Sequence, residues 1–298
     1  MRQEWLDDIL AVLDAGSFVR AAERRNISQS AFTRRIRTIE AGLGAPLFDR
    51  ARKPVTLLPA LRAQEVEMRR LAADLRSLSE TLREAADGSG RSVSLACQHA
   101  ITTTVSPRLV RALSVAGWGS VRVRSGNRDE CQVQLISGEA DLVVRYDRPF
   151  RSADMAGDAF EAVTLGTERL LPVCAPAILP ALDAGRLPAI VYPREVYLGR
   201  VVEQEVWPAL PPGTILQRKA ETALTLAACR YAQDGIGVAW LPQSMVAEDL
   251  VSGRLVSPHR AGPEVPLEIR LLRLATPQRA AARDAWEILT NLPPDAAP

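Results

Sequence analysis

The 298-residue chain has few of the side chains from which catalytic and metal sites are built. It contains two histidines, four cysteines and only 5% aromatic residues. The histidines, His99 and His259, are far apart, and the sequence has no C-x-x-C pair, no P-loop and no G-x-G-x-x-G motif. No nucleophile with a partner base is recognisable either. We therefore expect no metal, no cofactor and no enzymatic activity.

Long hydrophobic runs are also absent. No segment approaches the ~18 apolar residues that a membrane-spanning helix requires, and nothing resembles a signal peptide. We therefore expect a cytoplasmic protein without a membrane partner. The cysteines, at positions 97, 131, 174 and 229, are widely spaced, which predicts free thiols in a reducing compartment. The hydrophobic fraction of 47% is sufficient for two or three packed domains.

Positive charge is concentrated near the N-terminus. Residues 17–60 contain nine arginine and lysine residues against three acids, a net charge of +6. Residues 61–298 contain 27 basic and 28 acidic residues, a net charge of −1. A local excess of this kind is typical of a surface that binds nucleic acid.

The basic segment has the pattern of a helix-turn-helix. Ser17 and Ser28 each precede a short helical pattern and are suitable N-caps, and residues 24–27 leave room for only a short turn. The second helix has Ile36 and Ile39 on one side and hydrogen-bond donors and cations on the other. We interpret it as a recognition helix. The alternative is an ordinary amphipathic hairpin with a solvated basic face.

A basic hairpin at 46–58 follows and is interpreted as a wing that contacts phosphates or the minor groove. The residues predicted to approach the bases are Gln29, Ser30, Thr33 and Arg34, and Ser28 at the helix start is also predicted to belong to the DNA-binding surface. The residues predicted to lie mostly on phosphates are Arg35, Arg37, Arg50, Arg52 and Lys53.

These motifs resemble the LysR-type transcriptional regulators. The matching stretches are Gly-Ser-Phe at 16–18, Ala-Ala at 21–22, Ile-Ser-Gln-Ser-Ala at 27–31, Arg-Arg-Ile at 34–36, Ile-Glu at 39–40, Leu-Gly at 43–44 and Leu-Phe-Asp-Arg at 47–50. The chain departs from the family after the wing, where it reads Leu-Leu-Pro-Ala-Leu in place of Leu-Thr-x-Ala-Gly. The resemblance implies an N-terminal, all-α winged helix-turn-helix domain at 1–58 that binds double-stranded DNA.

A leucine seam follows the wing. Residues 59–86 have a helical pattern in which apolar side chains recur at spacings of three and four, as in a coiled coil. The seam residues are Met68, Leu71, Leu75, Leu78 and Leu82. We predict that this helix pairs with a second copy, the alternative being a helix packed on its own domain. The resemblance implies a dimerisation linker helix at 59–88, and a homodimer or a homotetramer built through the effector domains.

The rest of the chain alternates short apolar runs with helical patterns, which predicts parallel sheets covered by helices on both faces. Strands are predicted at 93–97, 121–124, 140–144, 170–174, 189–192 and 267–274, and helices at 102–113, 130–137, 221–233 and 278–289. Ser-Gly-Glu-Ala-Asp-Leu at 137–142 and Asp-Gly-Ile-Gly-Val-Ala-Trp-Leu-Pro at 234–242 resemble the LysR-type effector domain. The resemblance implies a two-lobed α/β effector domain at 91–292, similar to type 2 periplasmic binding proteins. Its lobe one spans 91–163 and 267–290, and its lobe two spans 164–266.

Ligands of open α/β sheets bind beyond the carboxyl ends of strands. Residues 98–103 follow the first predicted strand, and the family's effector-contacting segment falls there. The predicted effector-binding residues are Gln98, His99, Ala100, Thr102, Thr103, Arg145, Tyr146, Tyr197 and Arg200. A helix-start histidine bonded to backbone is the alternative for His99, and a structural salt bridge is the alternative for Arg145.

Cys-Gln-His at 97–99, Leu-Pro-Val-Cys-Ala at 171–175, Tyr-Leu-Gly-Arg at 197–200 and Gly-Val-Ala-Trp-Leu-Pro at 237–242 resemble the hypochlorite-responsive members of the family. That resemblance implies an oxidant sensor. Only four methionines are present, and Cys97 and Cys174 lie in apolar strand patterns where inert thiols are expected.

The leading hypothesis is a sequence-specific transcriptional regulator modulated by a small effector or an oxidant. One alternative is a nucleoid-type DNA binder, whose affinity would show little sequence preference. Another is a small-molecule-binding enzyme with a helical dimerisation arm, which measurable turnover would reveal.

Overall fold

The computed structural model describes residues 2–87, 91–149, 159–275 and 279–293. Two compact units are present. The first comprises residues 1–88 with the short segment 136–139, and the second comprises residues 89–135 and 140–298. Across the described ranges, no helix has the length and apolar character needed to cross a membrane. Residue 88, the last residue of the predicted linker helix, lies outside the described residues.

The first unit begins with three helices, α1 (Gln3–Ala15), α2 (Phe18–Arg24) and α3 (Gln29–Leu43). Apolar residues of all three helices meet in one core, in which Ile9, Phe32 and Ile36 are fully buried. The predicted apolar side of α3 is therefore the side that packs into the core of the first unit.

The turn between α2 and α3 is set by local chemistry. Asn26 adopts φ 54°, a left-handed conformation that asparagine tolerates better than most residues. Ser28 caps α3, its hydroxyl accepting from the backbone N–H of Ala31 at 3.3 Å. Ser17 occupies the N-cap position of α2 but accepts no such hydrogen bond. The serine pattern thus marks both helix starts, while side-chain capping occurs only at the second.

A short antiparallel hairpin forms the wing. Its strands are β1 (Phe48–Asp49) and β2 (Thr56–Leu57), which lie within the predicted basic hairpin at 46–58 and add two short strands to the helices of this unit. The base of the hairpin returns to the end of α1, where the Val55 N–H donates to the Gly16 carbonyl at 2.9 Å. Gly16 has φ 61°, and a Cβ there would lie 2.7 Å from the Pro54 Cβ. Glycine therefore suits this position for two reasons, its left-handed conformation and the close approach of the wing.

The long helix α4 (Gln64–Asp87) ends the first unit. It begins later than the predicted residue 59, because Pro59–Leu61 forms a separate 3-10 turn. At ~1.5 Å per residue, its 24 residues extend roughly 36 Å. Met68 packs with Ala72 against the side chains of Leu6 and Leu10 of α1. Met68 therefore packs within its own unit, whereas the leucines that follow it in the predicted seam are exposed.

The second unit is built on a six-stranded sheet with the order β4-β3-β5-β10-β6-β9. The strands are β3 (Ser92–Gln98), β4 (Ser120–Gly126), β5 (Leu142–Asp147), β6 (Phe160–Val173), β9 (Ala239–Pro242) and β10 (Val265–Leu274). Strand β3 pairs in parallel with β4 and β5, but β10 is antiparallel to β5 and β6, and β9 is antiparallel to β6. The prediction of parallel sheets is therefore wrong for three of the five strand pairings in this sheet.

Strands β6 and β10 are long, and each of them pairs with two neighbouring strands. Residues 268–272 of β10 pair with β5, whereas residues 170–173 of β6 pair with β9. Along the β6–β10 ladder, Thr164 faces Arg270 and Gly166 faces Ile269, so Leu165 has no partner and forms a β-bulge. The bulge lies beside the predicted lobe boundary at 163/164.

A second pair of strands, β7 (Arg186–Val191) and β8 (Ile215–Glu221), runs in parallel. An isolated bridge connects Ala189 of β7 to Val238, the residue before β9. Strand β8 was missed because its sequence, Ile-Leu-Gln-Arg-Lys-Ala-Glu, is polar. The predicted helix at 221–233 accordingly begins later, as α10 (Thr225–Gln233).

Helices cover this sheet system. The predicted helix at 102–113 is two helices broken at Val105, where Pro107 supplies no backbone N–H to continue the first one. A π-helical turn at Val202–Val206 follows α9 directly. The helices are α5 (His99–Thr104), α6 (Ser106–Val115), α7 (Arg128–Ile136), α8 (Leu179–Asp183), α9 (Tyr197–Val201), α10, α11 (Gln243–Val251) and α12 (Ala280–Thr290).

Candidate nucleic-acid interface and ligand clefts

The solvent side of α3 is polar and basic. Gln29, Ser30, Arg34 and Arg37 are exposed and Thr33 is half-buried, opposite the buried apolar side of the helix. The helix therefore presents amide, hydroxyl and guanidinium groups together, the side-chain types that bond base edges and phosphates.

Three of the predicted DNA-contacting cations have no internal partner. In the described part of the chain, the guanidinium groups of Arg34 and Arg37 and the ammonium group of Lys53 form no ion pair or hydrogen bond. All three side chains are exposed. Their charges are available to an external anion such as the DNA backbone.

Arg35 has a different environment. Its Nε lies 2.9 Å from Oδ2 of Asp8, and Oδ1 of the same carboxylate accepts from Nε of Arg25 at 2.9 Å. Asp8 is fully buried, so this carboxylate ties α1, the α2–α3 turn and α3 together. Arg35 helps to fix the position of α3, in addition to any phosphate contact that it makes.

The wing arginines are also paired. Arg50 contacts Glu40 at 2.6 Å and stacks over the Phe18 ring, 5.3 Å from its centroid. Glu40 accepts in addition from the Leu47 N–H at 3.0 Å, which fixes the wing against the end of α3. Arg52 lies 3.2 Å from Asp49 and is 62% exposed, and such surface pairs contribute little in water.

The second unit has a narrow cleft beyond the end of β3, which we term the amide cleft. Its volume is about 20 Å³. It is lined by Gln98, His99, Ala100, Asn127, Tyr192, Val196, Tyr197, Leu198, Ala223 and Thr225. Four of these are predicted effector residues, namely Gln98, His99, Ala100 and Tyr197. The others follow β4, β7 and β8, and sequence reasoning missed them because it did not place those strand ends beside β3.

Hydrogen bonds organise the β3 side of the amide cleft. The Gln98 side-chain oxygen accepts from the Tyr146 N–H at 3.0 Å, and Nδ1 of His99 lies 3.0 Å from the Ser125 hydroxyl. The Thr102 hydroxyl also contacts Ser125, and the Thr103 hydroxyl donates to the Ala100 carbonyl at 3.1 Å. Thr102 and Thr103 do not line the cleft, so their predicted effector contact has no support in this geometry.

Tyr146 and Arg145 are buried behind the cleft rather than on it. Tyr146 is fully buried, and Arg145 is 2% exposed with Nε 3.1 Å from Oδ2 of Asp147 and Nη1 3.1 Å from Oε1 of Gln132. Burial lowers the pKa of the Arg145 guanidinium, and the Asp147 carboxylate opposes that shift. The salt-bridge alternative describes this Arg145 geometry, and neither residue lines a described cleft.

A larger cleft, which we term the arginine cleft, has a volume of about 180 Å³. It is lined by Arg128, Asp147, Arg148, Tyr197, Arg200, Val201, Gln204 and Glu205. Tyr197 and Arg200 were predicted effector residues. Of the others, Arg128 begins α7, Asp147 ends β5 and Arg148 follows it, Val201 ends α9, and Gln204 and Glu205 stand on the π-helical turn. The sequence carries no motif that would group them.

Gly199 determines how closely α9 approaches the preceding loop. A Cβ on this residue would lie 2.0 Å from the Pro193 carbonyl oxygen, a distance that no side chain can adopt. The close approach sets the positions of Tyr197 and Arg200, which flank it on the helix.

The four cysteines are free and buried. Burial raises the pKa of the Cys97 and Cys131 thiols to about 12 and that of Cys174 to about 11. The thiolate is the nucleophile, and its fraction at neutral pH is very small at these pKa values.

We expect these thiols to resist alkylation in the folded protein. Iodoacetamide at pH 7.5 should leave Cys97, Cys131 and Cys174 unmodified while a denatured sample reacts completely, and raising the pH to 9 should change little because the pKa values remain higher. Intact-mass and peptide mass spectrometry measure this result. Rapid modification of any of the three in the native state would show that the thiol is accessible and ionised.

No group of three or more histidine, cysteine, aspartate or glutamate side chains within the described ranges is arranged to hold a metal ion. The recognisable features are instead an exposed basic helix of a winged helix-turn-helix unit and two polar clefts of an α/β unit. Together they define a DNA-binding regulator with a ligand-binding domain.

The chain belongs to the LysR family of bacterial regulators. Residues 4–60 match the family model described as bacterial regulatory helix-turn-helix protein, lysR family, and residues 86–293 match the LysR substrate binding domain. The protein is a DNA-binding transcriptional regulator with an effector-binding domain, and it is not an enzyme.

Curated relatives and solved structures match this chain over nearly its whole length. The chain is 27% identical to the HTH-type transcriptional regulator YjiE of Escherichia coli K12, over 97% of this chain and 94% of YjiE. It is 30% identical to the regulator AbaB of Streptomyces antibioticus, over 94% and 95% of the two chains. Among solved structures, the LysR family regulator VV2_1132 has a TM-score of 0.56 at 27% identity, covering 97% of this chain and 98% of that one. HypT of Salmonella typhimurium, described as hypochlorite-specific, shares the fold with a TM-score of 0.57 at 24% identity, over 98% of each chain.

Proposed function

We propose that this regulator reads a specific, partly palindromic operator through α3. Gln29, Ser30, Thr33 and Arg34 approach base edges in the major groove, with Ser28 at the helix start. Arg37, Arg52 and Lys53 contact phosphates, and Arg35 and Arg50 chiefly hold α3 and the wing in position. The observation that carries the proposal is the row of exposed polar side chains on α3 with cations that have no partner inside the unit.

The regulator acts in the cytoplasm as a homodimer that pairs along α4, with a homotetramer as the larger assembly. Leucines at 71, 75, 78 and 82 are 41%, 39%, 55% and 61% exposed, an unusual run of apolar side chains on a polar helix. Their spacing of four, three and four residues is that of a two-stranded coiled coil. Two-fold pairing of this kind presents two recognition helices to two half-sites.

The effector is a small molecule that binds reversibly to the residues lining the amide cleft, which at about 20 Å³ has room for little more than a water molecule and must widen to admit it. Gln98 ends β3 and His99 and Ala100 follow it, while Tyr197 follows β7 and Thr225 follows β8, so a ligand in the cleft contacts both groups of strands. A ligand that favours one arrangement of these two groups shifts the population toward it.

Reversible binding is favoured over oxidation of the protein itself. The relative HypT is described as hypochlorite-specific. In this chain the thiols are buried with raised pKa values. The two methionines within the described residues, Met68 and Met245, are partly buried against the cores of the first and the second unit.

A footprint of the purified protein on the DNA that flanks its own gene, at physiological salt, tests the proposed function. We expect protection of a partly palindromic site at concentrations that leave random DNA unprotected. Uniform, salt-sensitive coverage of all sequences would instead identify a nucleoid-type DNA binder.

A further inference from the structure

We propose that two ion pairs between α1 and α4 determine which spacing of operator half-sites the regulator accepts. One pair joins Arg69 to Asp14, and the other joins Arg76 to Asp7. The inference rests on the proposed function, because it assumes a dimer that pairs along α4 and reads two half-sites. It adds to that function a positioning role for four residues of the first unit.

The two ion pairs lie at two levels of an antiparallel helix pair. Nη2 of Arg69, near the start of α4, lies 2.7 Å from Oδ1 of Asp14, near the end of α1. Arg76, further along α4, contacts Asp7 in the first half of α1. The acids are seven residues apart, as are the arginines, and seven residues are close to two turns of an α-helix. Both pairs therefore lie on the same side of each helix.

The contact between the two ion pairs is apolar. Leu6, Leu10 and Ala72 are buried there, with Leu13 and Met68 packed against them. Burial of these side chains stabilises the helix pair, but the hydrophobic effect has no direction and tolerates a small slide of one helix along the other. An ion pair with hydrogen-bond geometry tolerates no such slide, and ionic groups at packed interfaces are best known for fixing register. The ion pairs are therefore what selects one register of α4 on α1.

The ion pairs are shielded from solvent. The side chains of Arg69 and Asp14 are 17% and 12% exposed, and those of Arg76 and Asp7 are 19% and 17% exposed. Glu65, one turn earlier on α4, is a second acceptor for Nη2 of Arg69 at 2.9 Å. Partly buried charges are screened less by salt than exposed ones, and loss of one partner leaves the other desolvated without a counterion.

Helix α1 connects this register to the DNA-reading helix. On its other side, the buried carboxylate of Asp8 lies 2.9 Å from Nε of Arg35, and Ile9 belongs to the same core as Ile36 of α3. The exposed Leu71 and Leu75 of the seam lie between the two arginines of the ion pairs. A slip of α4 by one helical turn would move α3 by about 5.4 Å relative to the seam, more than the rise of one base pair, about 3.4 Å.

A fixed register restricts the operators that a dimer can bind at both half-sites. Two base pairs inserted between the half-sites move the second one by about 7 Å and turn it by about 70° around the DNA axis. A dimer whose recognition helices keep one separation then engages a single half-site and loses the gain of intramolecular binding. A dimer with a loose α1–α4 contact adapts to the new spacing.

The test compares the footprinted operator with a derivative that has two base pairs inserted between its half-sites, by fluorescence anisotropy with the full-length protein. We expect the wild type to bind the derivative at least ~100-fold more weakly, because it loses the second half-site. The double variant Arg69→Gln, Arg76→Gln should reduce this spacing penalty to ~10-fold or less. The penalty is a ratio of two affinities of one sample, so a smaller folded fraction does not change it.

Two further variants control for the loss of charge and for stability. Arg70→Gln removes an exposed arginine of the same helix that pairs with Glu67 of α4 at 2.6 Å, and it should keep the wild-type penalty. Arg76→Gln alone should lower the penalty at least ~3-fold, and exchanging the charges with Asp7→Arg and Arg76→Asp should restore it, because the ion pair is rebuilt. Thermal melting verifies folding, and the charge exchange decides the matter should the double variant fail to fold.

A wild type that binds both spacings equally would overturn the proposal, as would a double variant with the full wild-type penalty. An equal fall of the penalty in Arg70→Gln would show that net charge, and not the α1–α4 contact, controls the spacing. Failure of the proposed function has a different result, in which the wild type binds operator and random DNA alike. Failure of this inference alone leaves the preference for operator over random DNA intact.

Discussion

Leu75→Asp separates the dimer and weakens operator binding roughly 100- to 10,000-fold, while the effector-binding unit remains folded. A dimer engages its second half-site as an intramolecular event, and the resulting gain over single-site binding is of this order. Leu75 is 39% exposed on α4 and belongs to neither core cluster of the first unit, so a carboxylate there leaves that unit intact.

The physical reason is the symmetry of the seam. In a paired helix the substitution buries two carboxylates in apolar surroundings and sets them close to each other, and both desolvation and like-charge repulsion oppose pairing. In the separated protein the same carboxylate lies in water at no cost. The substitution therefore acts almost entirely on the association equilibrium.

Analytical ultracentrifugation gives the assembly state, and fluorescence anisotropy with operator DNA gives the affinity. Val66→Asp is the matched control, because it places the same acid on the same helix at a residue that is 76% exposed. Nine residues separate the two positions, about 180° around the helix, so Val66 faces away from the seam. An unchanged sedimentation coefficient for Leu75→Asp would mean that α4 does not form the dimer contact.

Arg34→Ala reduces discrimination between operator and random DNA by roughly 10- to 100-fold, because one side-chain contact to a base edge accounts for about 1–3 kcal/mol of specificity. The Arg34 side chain is exposed on α3, and within the described residues its guanidinium has no internal partner. Its removal therefore costs the fold little. Its effect should appear as weaker operator binding with nearly unchanged binding to random sequence.

Lys53→Ala provides the comparison. Lys53 lies on the exposed wing, and as a phosphate contact its loss should weaken operator and random DNA by similar factors and reduce the slope of log K against log salt by about 0.9. Anisotropy titrations of both variants at several salt concentrations measure both quantities. Equal loss of specificity in the two variants would contradict the division between base-reading and phosphate-contacting residues.

Helix α3 was predictable because its signals are local. An N-cap serine, an apolar pair spaced along one side and a polar opposite side are read directly from consecutive residues, and the helix formed at Gln29–Leu43 with Ser28 as its cap. The sheet of the effector unit was predictable only in part. Its strand positions have local apolar patterns, but strand direction depends on which distant segments pair, and β10 pairs antiparallel across more than a hundred residues of chain.

Strand β8 and the arginine cleft were not predicted, for a related reason. Strand β8 has no apolar alternation, and its pairing with β7 makes it a strand despite its composition. The arginine cleft likewise gathers Arg128, Asp147 and Arg200 from three separate segments. No spacing rule in the sequence can group residues whose proximity results from the packing of the sheet and its helices.

The amino-acid sequence alone determined helix α3, with its apolar and polar sides, and the leucine pattern of α4, because each depends on residues within a few helical turns. The tertiary structure decided which charged side chains are exposed and which are paired within the unit. Arg34 and Arg35 are neighbours on one helix, yet one faces solvent and the other is bound to the buried carboxylate of Asp8 from α1. In the same way, Met68 of the seam packs against α1 while Leu75, seven residues later, remains exposed. Such differences arise from contacts with distant segments, and a periodic pattern contains no record of those contacts.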